Sequence, residues 1–151
     1  MSVTDTPRVA TPTIQPSAGV AKAFAGLVGL IAIAFVVQGL LAGIFLRYDG
    51  KRDASQTWID AHANVAHVAF GLSLVLAVLA IVKLRQRKDP LIGSIALAVL
   101  IGLESYLGGA IVDNGKDSYT SIHVPLAMAL MGVATWLALK AVQFRCSTRE
   151  E

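Results

Sequence analysis

Two histidines stand at matching positions in two apolar segments of the 151-residue chain. In each segment an Ala follows the His by four residues and a Gly follows it by nine: His62, Ala66 and Gly71, and His123, Ala127 and Gly132. Imidazole nitrogens bind metal ions, and a small residue one helical turn away leaves space beside each ring. The pattern predicts a pair of equivalent metal-binding side chains.

The segments that precede the histidines also repeat. In Gln38-Gly-Leu-Leu-Ala-Gly and in Glu104-Ser-Tyr-Leu-Gly-Gly, a Leu lies three residues and a Gly five residues after the polar first residue. Two equivalent helix hairpins related by an axis along the membrane normal would put His62 and His123 at similar depth near the outer face. Two facing imidazoles, with Ala66 and Ala127 lining a slot, suit the axial positions of a haem. In the alternatives, both histidines lie hydrated in the headgroup region, or they hold a metal ion other than iron.

Other polar residues within the apolar segments are secondary candidates. His67 lies five residues after His62 and so points about 140° away from it. We expect it to serve a haem propionate, a quinone or a proton path, or to act as a substitute ligand. Glu104 could transfer protons or form a structural hydrogen bond to Gln38 or Asn64, and we weigh these roles equally.

The composition points to a membrane protein. Apolar residues make up 55% of the chain and charged residues only 15%, whereas soluble domains have about a quarter of their residues charged. The net charge of +3 is spread over connections and forms no basic stripe, which argues against nucleic-acid binding. A single cysteine, Cys146, excludes an intrachain disulfide and a cysteine-based metal cluster.

The hydropathy pattern predicts an all-α integral membrane protein with four spans, at about 23–46, 58–82, 90–112 and 121–141. Residues 1–19 are expected to form a flexible tail, 20–144 the transmembrane domain and 145–151 a polar tail. Thr57 and Asp60 have the spacing of a capping box at the start of the second span. Ser121 is expected to cap the fourth, with Pro125 in its first turn.

Short connections predict an up-down-up-down bundle. Basic residues then set its orientation, because they favour the cytoplasmic side. Nine lie in the two tails, beside them or in the second connection: Arg8, Lys22, Lys83, Arg85, Arg87, Lys88, Lys140, Arg145 and Arg149. The first and third connections contain only four: Arg47, Lys51, Arg52 and Lys116. We therefore expect both termini in the cytoplasm, with the bundle in the plasma membrane.

The stretches LESYLGGAIVDNG and SIHVPLAMALMG resemble the third-to-fourth-helix hairpin of one half of haem A synthase. VVQGLLAGIF and IDAHANVAHVAFG are similar to the first hairpin of the same four-helix unit, which also occurs in small uncharacterised bacterial membrane proteins. The resemblance covers about residues 30–140 and implies that His62 and His123 are the haem-binding pair.

Two departures argue against haem A synthesis. The enzyme has a Glu three residues before its first His and an Arg directly after it, where this chain has Ile59 and Ala63. The enzyme also contains two four-helix units, and this chain has one. We therefore expect a cytochrome b-like subunit that binds haem b and exchanges electrons with a quinone or a partner redox protein. The alternative is a cofactor-free accessory subunit of a larger respiratory complex, or a homodimer; a small transporter is a third reading, which Glu104 alone supports weakly.

Overall fold

The computed structural model describes residues 16–48 and 51–147. Four α-helices contain most of them: α1 (Ala18–Leu46), α2 (Arg52–Lys83), α3 (Lys88–Asn114) and α4 (Thr120–Ser147). A 3-10 turn at Asp117–Tyr119 precedes α4. Each helix contains a stretch that is long and apolar enough to cross a membrane. The prediction of an all-α chain with four helices that are long and apolar enough to cross a membrane is confirmed.

The helices extend beyond the expected spans. α1 begins at Ala18, inside the segment expected to be a flexible tail, because the Ser17 hydroxyl accepts a hydrogen bond from the Val20 N–H at 3.4 Å and caps the helix. α4 continues to Ser147, so the expected polar tail begins as helix at residue 145. The other parts of these two tails, residues 1–15 and 148–151, lie outside the described residues.

The capping box expected at Thr57 is wrong. α2 begins at Arg52, and Thr57 lies inside the helix. The carboxylate of Asp53 is in the first turn, where it interacts favourably with the positive end of the helix dipole. Asp60 accepts a hydrogen bond from Gln56 Nε2 at 2.8 Å, one turn away on the same helix. The helix therefore starts more than a turn before the apolar segment.

The start of α4 also differs from the prediction. The helix begins at Thr120, so Ser121 does not cap it, and the Ser121 hydroxyl donates to the Ser118 carbonyl at 2.8 Å. Pro125 consequently lies beyond the first turn, where its missing N–H would have bonded to the Ser121 carbonyl. The 3-10 turn before α4 follows the end of α3 at Gly115. Gly115 has φ 63°, and this left-handed conformation, which glycine adopts readily, ends α3.

Each helix packs against two neighbours. α1 and α3 both contact α2 and α4, and within the described residues the diagonal pairs have no Cα atoms within 8 Å of each other. Large apolar side chains cover the outside, among them Val36 and Val99, each 65% exposed. Helices that are apolar on all sides are typical of membrane spans, because lipid contacts the outer face.

The tightest packing lies in one half of the bundle. Its fully buried apolar side chains come from the first halves of α1 and α3 and the second halves of α2 and α4: Phe24, Val28, Ile31, Leu76, Leu97 and Leu137. The rings of Phe24 and Phe144 join the two ends of the chain there, with centroids 5.9 Å apart. The opposite half contains the polar residues singled out in the sequence.

A close approach of α3 and α4 requires Gly93 in this packed half. A Cβ at this position would overlap the Trp136 ring and lie 2.8 Å from Leu137 Cδ2. We expect Gly93→Ala to lower the free energy of unfolding by about 1–3 kcal/mol, because overpacking forces side chains out of their preferred rotamers.

The matched control is Gly132→Ala in α4, where a Cβ would meet no atom within 4 Å. This variant should be neutral or slightly more stable, since Ala favours helix by up to about 1 kcal/mol. Thermal unfolding of both variants in the same detergent, followed by circular dichroism, measures the difference. Equal stability of the two variants would contradict the packing described here.

Candidate functional site

His62 is held by the helix that precedes it. Its Nδ1 lies 3.2 Å from the backbone carbonyl of Gln38 in α1, so the ring can donate its Nδ1–H to that oxygen. The Phe45 ring packs edge-to-face on the imidazole, with a centroid separation of 5.5 Å. A histidine that donates through Nδ1 to a backbone carbonyl has its Nε2 lone pair available to accept a proton or bind a metal.

His123 has the corresponding partner in the second hairpin. Its Nδ1 lies 3.2 Å from Glu104 Oε1 in α3, and the two side chains are 21% and 14% exposed. No hydrogen bond forms between the two side chains, so this is a close polar contact. Gly108 makes room for the ring, since a Cβ there would lie 3.3 Å from His123 Cε1.

In each half of the sequence repeat, a polar residue of one helix contacts the histidine of the next helix. Gln38 contacts His62 in the first hairpin, and Glu104, its counterpart in the repeat, contacts His123 in the second. The first contact uses a backbone oxygen and the second uses a carboxylate. In both hairpins an oxygen of the preceding helix therefore lies 3.2 Å from the imidazole Nδ1, and in the first hairpin this contact is a hydrogen bond.

The two histidines and Glu104 lie in the same half of the bundle, and we refer to them as the histidine cluster. Gln38 and Glu104 are in the second halves of α1 and α3, and His62 and His123 are in the first halves of α2 and α4. His62 lies on α2 and His123 on α4, which are diagonal helices of the bundle. The cluster thus includes side chains of three helices and a backbone carbonyl of the fourth.

Several buried polar atoms of this cluster have no hydrogen-bond partner in the described part of the chain. They are Gln38 Oε1, Ser105 Oγ, both carboxylate oxygens of Glu104 and His123 Nδ1. A buried polar group without a partner costs about 1–3 kcal/mol in proteins, and lipid supplies no donors or acceptors. Such a concentration of unpartnered polar atoms is typical of a site that holds water or a polar ligand.

The structure does not bring every candidate residue into the cluster. His67 and Asn64 are both exposed, so the hydrogen bond considered between Glu104 and Asn64 does not form. The considered bond from Glu104 to Gln38 is also absent among the described residues. Ala66 is partly buried whereas Ala127 is exposed, so the two alanines have different surroundings.

Three contributors to the site were not predicted as such: Phe45, Ser105 and Gly108. The spacing of the repeat could have indicated Gly108, because it corresponds to Ala42 and lies one turn after Glu104. Phe45 and Ser105 have no comparable signal. Among the described residues, no group of three or more His, Cys, Asp or Glu side chains is arranged to hold a metal ion.

No family model matches the chain, and comparisons with curated proteins and with solved structures also return no match. Nothing in these comparisons links the chain to haem A synthase, so that resemblance stays a prediction.

The contact between Gly108 and His123 can be tested with two adjacent glycines. In Gly108→Ala the new Cβ would lie closer to the ring than the ordinary carbon contact of about 3.5–4.0 Å, so the imidazole should shift by a few tenths of an ångström. Gly109→Ala has the same effect on helix propensity, but its Cβ would meet only Asp113 Oδ2 at 3.7 Å.

Histidine-selective isotope labelling makes the measurement simple, because the chain has three histidines. We expect the His123 ring resonances to move in Gly108→Ala and to stay in place in Gly109→Ala, while the His67 resonances stay unchanged in both. Equal movement of the His123 signals in the two variants would refute the proposed packing of the ring.

Proposed function

We propose that the chain is a membrane-embedded haem b protein, with His62 and His123 as axial ligands, that transfers electrons. The observation that carries this proposal is the similar position of the two imidazoles relative to the preceding helix. Each has its Nδ1 at 3.2 Å from an oxygen of the preceding helix. Ligating histidines in metalloproteins are usually oriented in this way, with the other ring nitrogen directed to the metal.

The donor set suits haem better than a metal ion held by the protein alone. A structural zinc ion needs four protein ligands, whereas haem supplies four equatorial nitrogens and needs only two further donors. His62 and His123 are two such donors, on the diagonal helices α2 and α4 and in the same half of the bundle. The side-chain oxygens of Gln38 and Ser105, on α1 and α3, are buried without a hydrogen-bond partner among the described residues.

Haem with two histidine ligands has no open coordination position, and this favours electron transfer over oxygen chemistry. Within the proposal, Gln38 and Glu104 orient the ligands and Phe45 shields one ring from lipid. A quinone or a partner redox protein would exchange the electrons, and His67 is exposed on the same helix as His62.

The proposal includes the orientation of the bundle in a bacterial plasma membrane. An up-down-up-down path with both termini in the cytoplasm is supported by the excess of basic residues in the second connection and the tails. Contacts between the start of α1 and the end of α4, such as that of Phe24 with Phe144, agree with such a path. The histidine cluster would then lie in the outer half of the membrane.

A second candidate function is a cofactor-free accessory subunit of a larger respiratory complex or a homodimer. The observation in its favour is the Glu104–His123 contact, since an ion pair between neighbouring helices also stabilises a bundle without any ligand. In this case the histidines contribute to helix packing, and the functional protein contains no metal.

The absorption spectrum of the purified protein separates these functions. We expect a low-spin haem b signal in the reduced-minus-oxidised spectrum after expression with added haem precursor. His62→Ala and His123→Ala should each abolish it, because one axial ligand holds haem much more weakly than two. The matched control is His67→Ala, which should retain the signal because His67 is exposed outside the cluster.

A protein that stays colourless after expression and after addition of haemin in detergent would overturn the haem proposal and leave the accessory subunit. Retention of the full signal in His62→Ala, or its loss in His67→Ala, would show that the ligands are assigned wrongly. Circular dichroism of each variant confirms that the helices are intact.

Glu104 should act as a positioning residue for His123. Glu104→Gln keeps the size of the side chain and removes the carboxylate that faces Nδ1 at 3.2 Å. We expect haem affinity to fall by about 10–100-fold, the usual effect of losing a group that orients a ligand, with the low-spin spectrum retained. Haem transfer to apomyoglobin measures the affinity. An unchanged affinity would exclude this role.

A further inference from the structure

A cavity of about 160 Å³ lies at the end of the bundle opposite the histidine cluster. It is bounded by Pro16, by the end of α2 and by the connection between α2 and α3. Seven residues line it: the apolar Pro16, Val82 and Leu84, the basic Lys83, Arg85 and Arg87, and the neutral polar Gln86. The cavity therefore combines apolar walls with a cationic rim.

Two of the three basic residues of this rim have no acidic partner in the described part of the chain. Lys83 and Arg85 are exposed and form no ion pair within residues 16–48 and 51–147. Asp89, the acidic residue next in the chain, is paired with Lys140 at 2.7 Å. The Arg87 guanidinium lies over the Phe144 ring, 4.9 Å from its centroid, and this contact holds its positive charge at the rim.

The cavity lies where α2 ends and α3 begins. Both helices are long and apolar enough to cross a membrane, and in a membrane this position would be at the boundary between lipid tails and headgroups. Val82 lines the cavity and is 60% exposed, and Val78, one turn earlier, is 59% exposed. An apolar strip thus leads along α2 from the basic rim toward the centre of the bilayer.

We propose that this cavity binds the headgroup phosphate of an anionic phospholipid, whose acyl chains lie along the exposed apolar face of α2. Clusters of Lys and Arg at the end of a membrane span attract anionic lipids. A free phosphate would use the same basic groups, but it would gain nothing from Pro16, Val82 and the apolar strip. The site is independent of the histidine cluster and of any haem.

Native mass spectrometry of the full chain, released from detergent, tests the site with phosphatidylglycerol and phosphatidylcholine of the same acyl chains. The wild type should retain phosphatidylglycerol preferentially. Lys83→Gln/Arg85→Gln should weaken that binding roughly 30-fold, since each basic residue near the surface contributes about a factor of five. The single variant Arg85→Gln should lose about a factor of five, and it serves if the double variant does not fold.

The matched control is Lys51→Gln/Lys116→Gln, which removes two positive charges from the other connections. It should bind phosphatidylglycerol as the wild type does. Equal retention of the two lipids by the wild type would overturn the proposal, and so would an equal loss in the control variant. Displacement of phosphatidylglycerol by excess inorganic phosphate would assign the cavity to free anions and would also overturn it.

Discussion

The contact between each imidazole Nδ1 and an oxygen of the preceding helix is the interaction on which the proposed site depends. A histidine inside a membrane span must find its partner within the protein, because lipid has no donor or acceptor to offer. Gln38 O meets this need for His62, whereas Glu104 Oε1 lies at the same 3.2 Å from His123 Nδ1 without forming a hydrogen bond. The rotation of each helix about its axis is thereby coupled to that of its neighbour.

The two hairpins meet the same requirement with different chemistry, and this makes the site asymmetric. The carbonyl of Gln38 is a neutral acceptor, whereas the Glu104 carboxylate carries a charge when ionised and both of its oxygens are buried without hydrogen bonds in the described residues. A carboxylate makes a neighbouring imidazole a stronger electron donor than a carbonyl does. Two ligands that are equivalent by repeat would thus differ in donor strength.

Hydropathy predicts the four helices because the bilayer requires long apolar stretches, and the repeat correctly singles out both hairpins. Helix starts are less predictable, since Thr57 and Ser121 match capping patterns and yet lie inside α2 and α4. The pairing of Glu104 with His123 depends on how far two helices rotate and slide against each other. Spacing within one helix does not specify that relation, so Asn64 and Gln38 were equally reasonable partners.

The unequal packing of the two halves indicates how a site with unpartnered polar atoms can persist. Phe24, Leu76 and Leu137 belong to a tightly buried cluster in the half away from the histidines, which holds the four helices together independently of the site. In the described residues, the diagonal helices α2 and α4 have no Cα atoms within 8 Å of each other. A group that bridged His62 and His123 would connect this diagonal pair directly, so its binding free energy would also stabilise the less tightly packed half of the bundle.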